Sequence, residues 1–175
     1  GGVGTIACQW LKALGATVIG TVGSPEKAEL AKAHGCDHTI LYREEDFVAK
    51  VREITGGKGV PVVYDSIGKD TFMKSLDCLS PRGLMVTFGN ASGPVPPLDV
   101  SILAGKGSLK VTRPTLTTYV LNRALLEPMA ADLFQRVISG QVKIEINQRY
   151  PLAQAIQAHR DMEDRKTTGS TILIP

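Results

Sequence analysis

Short β-branched runs alternate with helical patterns along most of the chain, and glycine stands at many of the joints. "TIACQWLKAL" sets Ile6, Trp10 and Leu14 at helical spacing before Gly15, and "TVIGTV" follows as a strand. In "SPEKAELAKAHG", Ser24 is the expected N-cap, Pro25 the first helical residue and Gly35 the stop. The rhythm continues with "HTILY" (strand), "EEDFVAKVREITGG" (helix), "VPVVYDSIG" (strand), "KDTFMKSLDCLSPRG" (helix, ending at Pro81 and Gly83) and "LMVTFGN" (strand). After the loop Gly93 to Pro97 come a short helix, the strand "GSLKVTRP" and a long helical stretch to Gly140, with a kink or restart expected at Pro128. Strand–helix–strand units of this length imply right-handed crossovers, so the chain is expected to be α/β, with a doubly wound parallel sheet covered on both faces. The apolar runs "TVIGTV" and "VPVVYD" suit strands buried on both sides. The tail "QVKIEINQRYPLAQAIQAHRDMEDRKTTGSTILIP" reads as a strand, a helix with Leu152, Ala155, Ile156 and His159 on one stripe, and a last strand.

Composition narrows the partners. At 175 residues there is room for one domain with a proper core, or for one domain and part of another. The net charge is only +3, with acids and bases interspersed, which argues against nucleic acid as a partner. No apolar run approaches the roughly 18 residues of a membrane span, so no membrane partner is expected. Cys8, Cys36 and Cys78 are odd in number and widely spaced, the pattern of reduced thiols, and a cytoplasmic location is expected.

The opening "GGVG" has the composition of a phosphate-binding turn between a strand and a helix. One glycine permits the tight turn, another lets backbone N–H groups reach a pyrophosphate, and a third lets the helix pack closely. The helix N-terminus adds unpaired donors and a partial positive charge. Such a turn normally follows a buried strand, yet here it stands at residue 1. About 20 residues further on, a chain that binds NAD carries a carboxylate for the adenosine ribose hydroxyls. Here "GTVGSPEK" is small and hydroxylic, with Lys27 one turn on. A carboxylate would repel a 2′-phosphate, whereas Ser24 and Lys27 would hold it, so NADP(H) is the expected cofactor. Glu26 is the one nearby acid. Ligands of such folds lie beyond the carboxyl ends of the strands, which makes Tyr42, the stretches 65–68 and 88–92, and Arg113 candidates.

Several segments together resemble the medium-chain dehydrogenase/reductase superfamily and, within it, the NADPH-dependent quinone oxidoreductases of the zeta-crystallin group. They are "GGVGTIACQWLKALGATVIGTVGSPEKAELAKAHGCDHTILYREEDF", "EITGGKGVPVVYDSIGKDTFMKSLDCLSPRGLMVTFGNASG", "GSLKVTRPTL" and "GSTILIP". The resemblance implies hydride transfer from NADPH to a quinone or similar conjugated carbonyl, without zinc. It implies that Gly2 and Val3 face the pyrophosphate, and that Gly23, Ser24, Lys27 and Tyr42 surround the adenosine 2′-phosphate. Ile67, Phe88, Asn90 and Ser92 would line the ribose and nicotinamide side, and Arg165 would reach cofactor phosphates. It further implies that residues 1–149 are a dinucleotide-binding domain lacking its first strand. Residues 150–175 would return to an N-terminal catalytic domain of GroES-like type, absent here together with half of the substrate cleft. A homodimer is expected through the edge strand "SLKVT" at 108–112.

Other constellations carry less. The side chains of "HGCDH" (His34, Cys36, His38) should diverge, because Gly35 ends a helix and His38 begins a strand, so no metal site is expected. There is no Tyr-x-x-x-Lys pair, and neither Ser66 nor Ser75 lies in a G-x-S-x-G elbow. Hydride transfer depends on alignment more than on an acid or base, and no catalytic residue is named. The alternatives are an enoyl or alkenal reductase of the same superfamily, or a non-catalytic nucleotide- or RNA-binding module.

Overall fold

The computed structural model describes residues 2–164 and 166–175. It divides into two compact units, one made of Gly1–Glu44 with Met129–Pro175 and the other of Glu45–Pro128. Every strand pairing in both is parallel, so the α/β class read from the alternation holds.

In the first unit, α1 (Gly2–Ala13) leads to β1 (Ile19–Val22), α2 (Pro25–Ala33) and β2 (His38–Leu41), with β1 and β2 paired. The punctuation of α2 is local. The Ser24 hydroxyl accepts from the Lys27 N–H, Pro25 is the first helical residue, and Gly35 takes φ +90° just beyond the end. Packing then selects Ala28, His34, Cys36 and Ile40 for burial. The C-terminal part of this unit comprises β6 (Ile146–Pro151), α8 (Ala155–Glu163) and β7 (Ser170–Ile174), with β6 and β7 forming a sheet of their own. Polar contacts tie it to α1 and α2. The Gln9 amide both accepts from the Lys143 N–H (2.8 Å) and donates to the Lys143 carbonyl (3.1 Å). The Arg136 guanidinium lies 5.2 Å from the Trp10 ring centroid, and His34 Nε2 is 3.2 Å from Glu145. Of the expected stripe, Leu152 lies in the 3-10 turn before α8 and is exposed, as are Ile156 and His159; the buried residue of α8 is Ala158.

The second unit contains α3 (Phe47–Ile54), β3 (Val60–Asp65), α4 (Phe72–Asp77), β4 (Leu79–Thr87), α5 (Ser101–Gly105), β5 (Lys110–Thr112) and α6 (Leu116–Tyr119). Its sheet runs in the order β3–β4–β5 around a core of Phe72, Leu76, Leu79, Met85 and Leu109. Helix α7 (Arg123–Ile138) belongs to this unit as far as Pro128 and to the first from Met129 on.

Three local expectations need correction. The helix expected to reach Gly83 stops at Asp77, because the Arg52 guanidinium takes the carbonyls of Asp77 (2.7 Å) and Leu79 (3.0 Å). β4 therefore starts at Leu79, and its register slips where Pro81, Arg82 and Gly83 bulge outward. Arg82 sits at φ +61° there, held by its N–H donating to the Gly107 carbonyl (2.7 Å). α7 runs through Pro128 without a restart, at the loss of one backbone bond. β3 is not buried on both sides: α4 covers one face, while Val62 and Tyr64 on the other are 38% and 62% exposed. The strands are grouped as a β1–β2 pair, the β3–β4–β5 sheet and a β6–β7 pair, all parallel as the expected class requires, and β1 and β3 each have a single strand partner among the described residues.

Candidate functional site

The residues singled out in the sequence form two groups, one in each unit. In the first unit, β1 and β2 run parallel, so Gly23 and Tyr42 follow at the same end, linked by the Tyr42 N–H donating to the Val22 carbonyl (3.2 Å). A Cβ on Gly23 would lie 3.2 Å from the Tyr42 hydroxyl and 3.5 Å from its ring, so the glycine leaves room for the tyrosine beside Ser24. Ser24 is engaged twice. Its oxygen accepts from the Lys27 N–H (3.4 Å), and its hydroxyl is shared with the Glu26 carboxylate. That contact, followed by Glu26's own backbone N–H, holds the Glu26 carboxyl below its usual range. Ser24, Lys27 and Tyr42 are all half-buried, and each brings a group able to donate to a phosphate.

Gly2 opens α1, and Val3 on the first turn is 68% exposed. A Cβ on Gly2 would come within 3.1 Å of the Gly169 carbonyl oxygen and 3.2 Å of Ser170 Oγ. Close packing against the turn before β7 is thus a second reason for glycine at this position. Arg165 lies outside the described residues.

In the second unit, Ile67, Phe88, Asn90 and Ser92 sit on the loops that follow β3 and β4, at the carboxyl end of the sheet. The two loops are closely joined. The Ile67 carbonyl accepts from both the N–H and the hydroxyl of Ser92 (each 2.8 Å), and Ser92 Oγ accepts from the Asp70 N–H (3.1 Å). The Ser66 carbonyl accepts from the Ala91 N–H (3.2 Å), and the Gly93 carbonyl from the Lys69 N–H (3.1 Å). A Cβ on Gly89 would meet the Ser66 carbonyl oxygen at 2.3 Å, so only glycine allows this approach. Arg113, at the end of β5, donates to the Gly89 carbonyl (3.0 Å). Ser92 is therefore a pin between loops. Phe88, 40% exposed, and the exposed Asn90 present their side chains outward.

Beneath these loops lies a residue whose part was not legible from its strand-end position alone. Asp65, the last residue of β3, is 5% exposed. Its Oδ1 accepts from the N–H groups of Ile67 (2.7 Å) and Gly68 (3.0 Å), and its Oδ2 from the hydroxyls of Thr71 (2.7 Å) and Ser75 (2.9 Å). The sequence signal would have been the hydroxyl pair at Thr71 and Ser75, four apart and so on one helix face, downstream of a strand-ending aspartate.

The cysteines and histidines lie elsewhere. His34 Nδ1 contacts the Leu30 carbonyl (2.7 Å), whereas the Cys36 thiol donates to the His38 carbonyl (3.0 Å) and His38 is exposed. Contact with Cys8 draws the Cys36 thiol down to about 7, and burial pushes that of Cys78 up to about 11. All three cysteines are free. Among the described residues, no group of three or more His, Cys, Asp or Glu side chains could hold a metal ion.

Comparison with known proteins follows the same outline. The chain is 57% identical over its whole length to a quinone oxidoreductase of Pseudomonas aeruginosa, of which it covers 54%. It is 51% identical, again over its whole length, to a 2-haloacrylate reductase of a Burkholderia species, covering 53% of that protein. Among solved structures, Escherichia coli quinone oxidoreductase complexed with NADPH superposes with a TM-score of 0.96 at 54% identity, over all of this chain and 54% of that one. The chain thus spans about half the length of the curated relatives it matches. Residues 2–131, well over half of the sequence, match the family described as zinc-binding dehydrogenase, and the chain belongs to that family.

Proposed function

We propose that the protein transfers a hydride from NADPH to a quinone or a similar conjugated carbonyl, and that this chain supplies its nucleotide-binding portion. The observation that carries this reading is the whole-chain likeness, at a TM-score of 0.96, to a quinone oxidoreductase solved with NADPH. The local chemistry agrees: the end of β1 is small and hydroxylic, Ser24 caps α2 and Tyr42 lies beside Gly23, so Ser24, Lys27 and Tyr42 would be the phosphate partners. Glu26 would exchange its contact with the Ser24 hydroxyl for solvent as the phosphate arrives, because like charges repel there.

NADPH would supply the hydride and the electron pair when bound. Gly2 and Val3 at the first turn of α1 would hold the pyrophosphate, where N–H groups lack intrahelical partners. Ile67, Phe88, Asn90 and Ser92 would shape the ribose and nicotinamide side, and Arg165 would reach a phosphate. The part of residues 150–175 would be to return to a catalytic domain, with residues 1–149 as the dinucleotide-binding domain. The zinc in the family's description finds no ligand set among the described residues. The proposed transfer is zinc-independent and asks alignment of these residues, not metal ligation.

A second substrate reading has its own support in the 51% identity to 2-haloacrylate reductase, whose name denotes an alkene conjugated to a carboxylate. Initial rates with a benzoquinone and with an acrylate, each with NADPH, separate the two. We also propose a cytoplasmic location, consistent with three free cysteines and with no helix among the described residues long and apolar enough to cross a membrane. A homodimer through the outer edge of β5, unpaired among the described residues, completes the reading, with the strand shorter than the expected 108–112. Sedimentation of the intact protein should give a dimer; a monodisperse monomer overturns that part.

The test of the main reading is cofactor discrimination. NADPH should bind the intact protein more tightly than NADH, and Lys27→Ala should remove most of the difference, about tenfold for one screened contact. Equal affinities in the unaltered protein defeat the proposal.

A further inference from the structure

We infer that Asp65 is a positioning residue for hydride transfer: its buried carboxylate fixes the loop of Ile67 and, through Ser92, the loop of Phe88 and Asn90. The inference rests on the NADPH reading above and assigns a task within it.

A carboxylate offers about four lone-pair sites, and here four donors fill them. Two come from the backbone of the loop itself, and two from hydroxyls at i and i+4 of the region that begins α4. Bonds from N–H to an ionised acceptor are roughly twice as strong as neutral ones, so Ile67 and Gly68 are pinned in both position and direction. Gly68 takes φ +90°, and a Cβ there would meet the Gly93 carbonyl oxygen at 2.6 Å, so the pinned turn is also pressed against the second loop. The Ile67 carbonyl then receives both donors of Ser92, which carries the constraint to the loop bearing Phe88 and Asn90. Asp65 is 5% exposed beneath this layer, so it acts through the loops rather than by touching substrate or cofactor.

A carboxylate needed only for stability could be exchanged for an amide with little functional consequence. In Asp65→Asn, the amide oxygen still accepts from the two N–H groups, and the hydroxyls of Thr71 and Ser75 can turn to accept from its NH₂. The fold survives, but the loop is held by neutral bonds. The adenosine contacts at Ser24, Lys27 and Tyr42 lie on other elements and are untouched. Misalignment without loss of binding lowers kcat and spares KM, and a displacement of about 1 Å can cost about 100-fold.

The experiment uses the intact protein with NADPH, NADPH deuterated at C4, and a benzoquinone. Asp65→Asn should lower kcat by at least about tenfold and leave the NADPH KM within about threefold. The deuterium effect on kcat should rise as the transfer step becomes limiting. Wild-type kcat and isotope effect in Asp65→Asn overturn the inference, as does a change confined to KM. Should that variant not fold, Thr71→Val removes one donor from the same carboxylate and is judged by the same criteria. An unaltered protein that fails to oxidise NADPH with any conjugated acceptor would instead overturn the functional reading itself.

Discussion

Gly89→Ala probes the joined loops most sharply. The new methyl would stand 2.3 Å from the Ser66 carbonyl oxygen, 2.8 Å from its Cα and 2.9 Å from its carbonyl carbon. A methyl carbon and a carbonyl oxygen ordinarily meet no closer than about 3.3 Å, so one backbone must retreat by about 1 Å. No flexible side chain can absorb that movement, because all three atoms belong to the main chain. The retreat strains the bonds from the Phe88 N–H to the Asp65 carbonyl (2.9 Å) and from the Ala91 N–H to the Ser66 carbonyl (3.2 Å). Two weakened hydrogen bonds at about 1 kcal/mol each, with about 1–3 kcal/mol for overpacking, give a loss of about 3–5 kcal/mol. That is a large part of the roughly 5–15 kcal/mol that holds an ordinary domain together. Gly105→Ala is the matched control. Gly105 is the exposed last residue of α5 with nothing within 4 Å of its Cβ position, and alanine there should stabilise by about 0.5–1 kcal/mol. Urea denaturation of the two variants beside the parent measures both effects. A Gly89→Ala variant within about 1 kcal/mol of the parent would refute the close approach of the loops.

Other expectations concern the core of the second unit and pH. Leu76→Ala, at 1% exposure in the centre of the second unit's core, should lose about 3–4 kcal/mol in the same denaturation assay. Asp37 is held below the usual carboxylate range first by the Lys12 ammonium and then by the Val18 N–H (2.9 Å). A carboxyl depressed on folding stabilises above its unfolded pKa, and that contribution fades as pH falls through the folded value. Stability should therefore drop below about pH 4, and Asp37→Asn should flatten that acid limb in denaturation curves at stepped pH.

How far the sequence could be read follows from the range of each interaction. Ser24, Pro25 and Gly35 bound α2 as expected because their capping acts within one turn. The start of β4 was hidden because it depends on Arg52 and Gly107, both distant in sequence from Leu79 to Gly83. β3 has the composition of a strand buried on both faces, yet Val62 and Tyr64 are exposed; apolarity alone does not say what covers a face. The hydroxylic end of β1 was legible because its residues follow one another in the chain. Asp65 was visible only as a strand end, since its four donors come from residues two to ten positions downstream whose convergence is a property of the fold. Ser92 adds a second task that no local pattern announces: its hydroxyl joins two loops, beside the cofactor's side that family resemblance implies for it.

In the proposed complex, the pocket at the end of β1 receives the extra dianion on the adenosine sugar. The most direct measurement is a structure of the intact protein with NADP⁺ bound. The account predicts the 2′-phosphate within hydrogen-bond distance of Lys27 Nζ and of the Ser24 or Tyr42 hydroxyl, with Glu26 turned to solvent. A ribose held through its 2′ and 3′ hydroxyls by the Glu26 carboxylate, with Lys27 directed elsewhere, would contradict it.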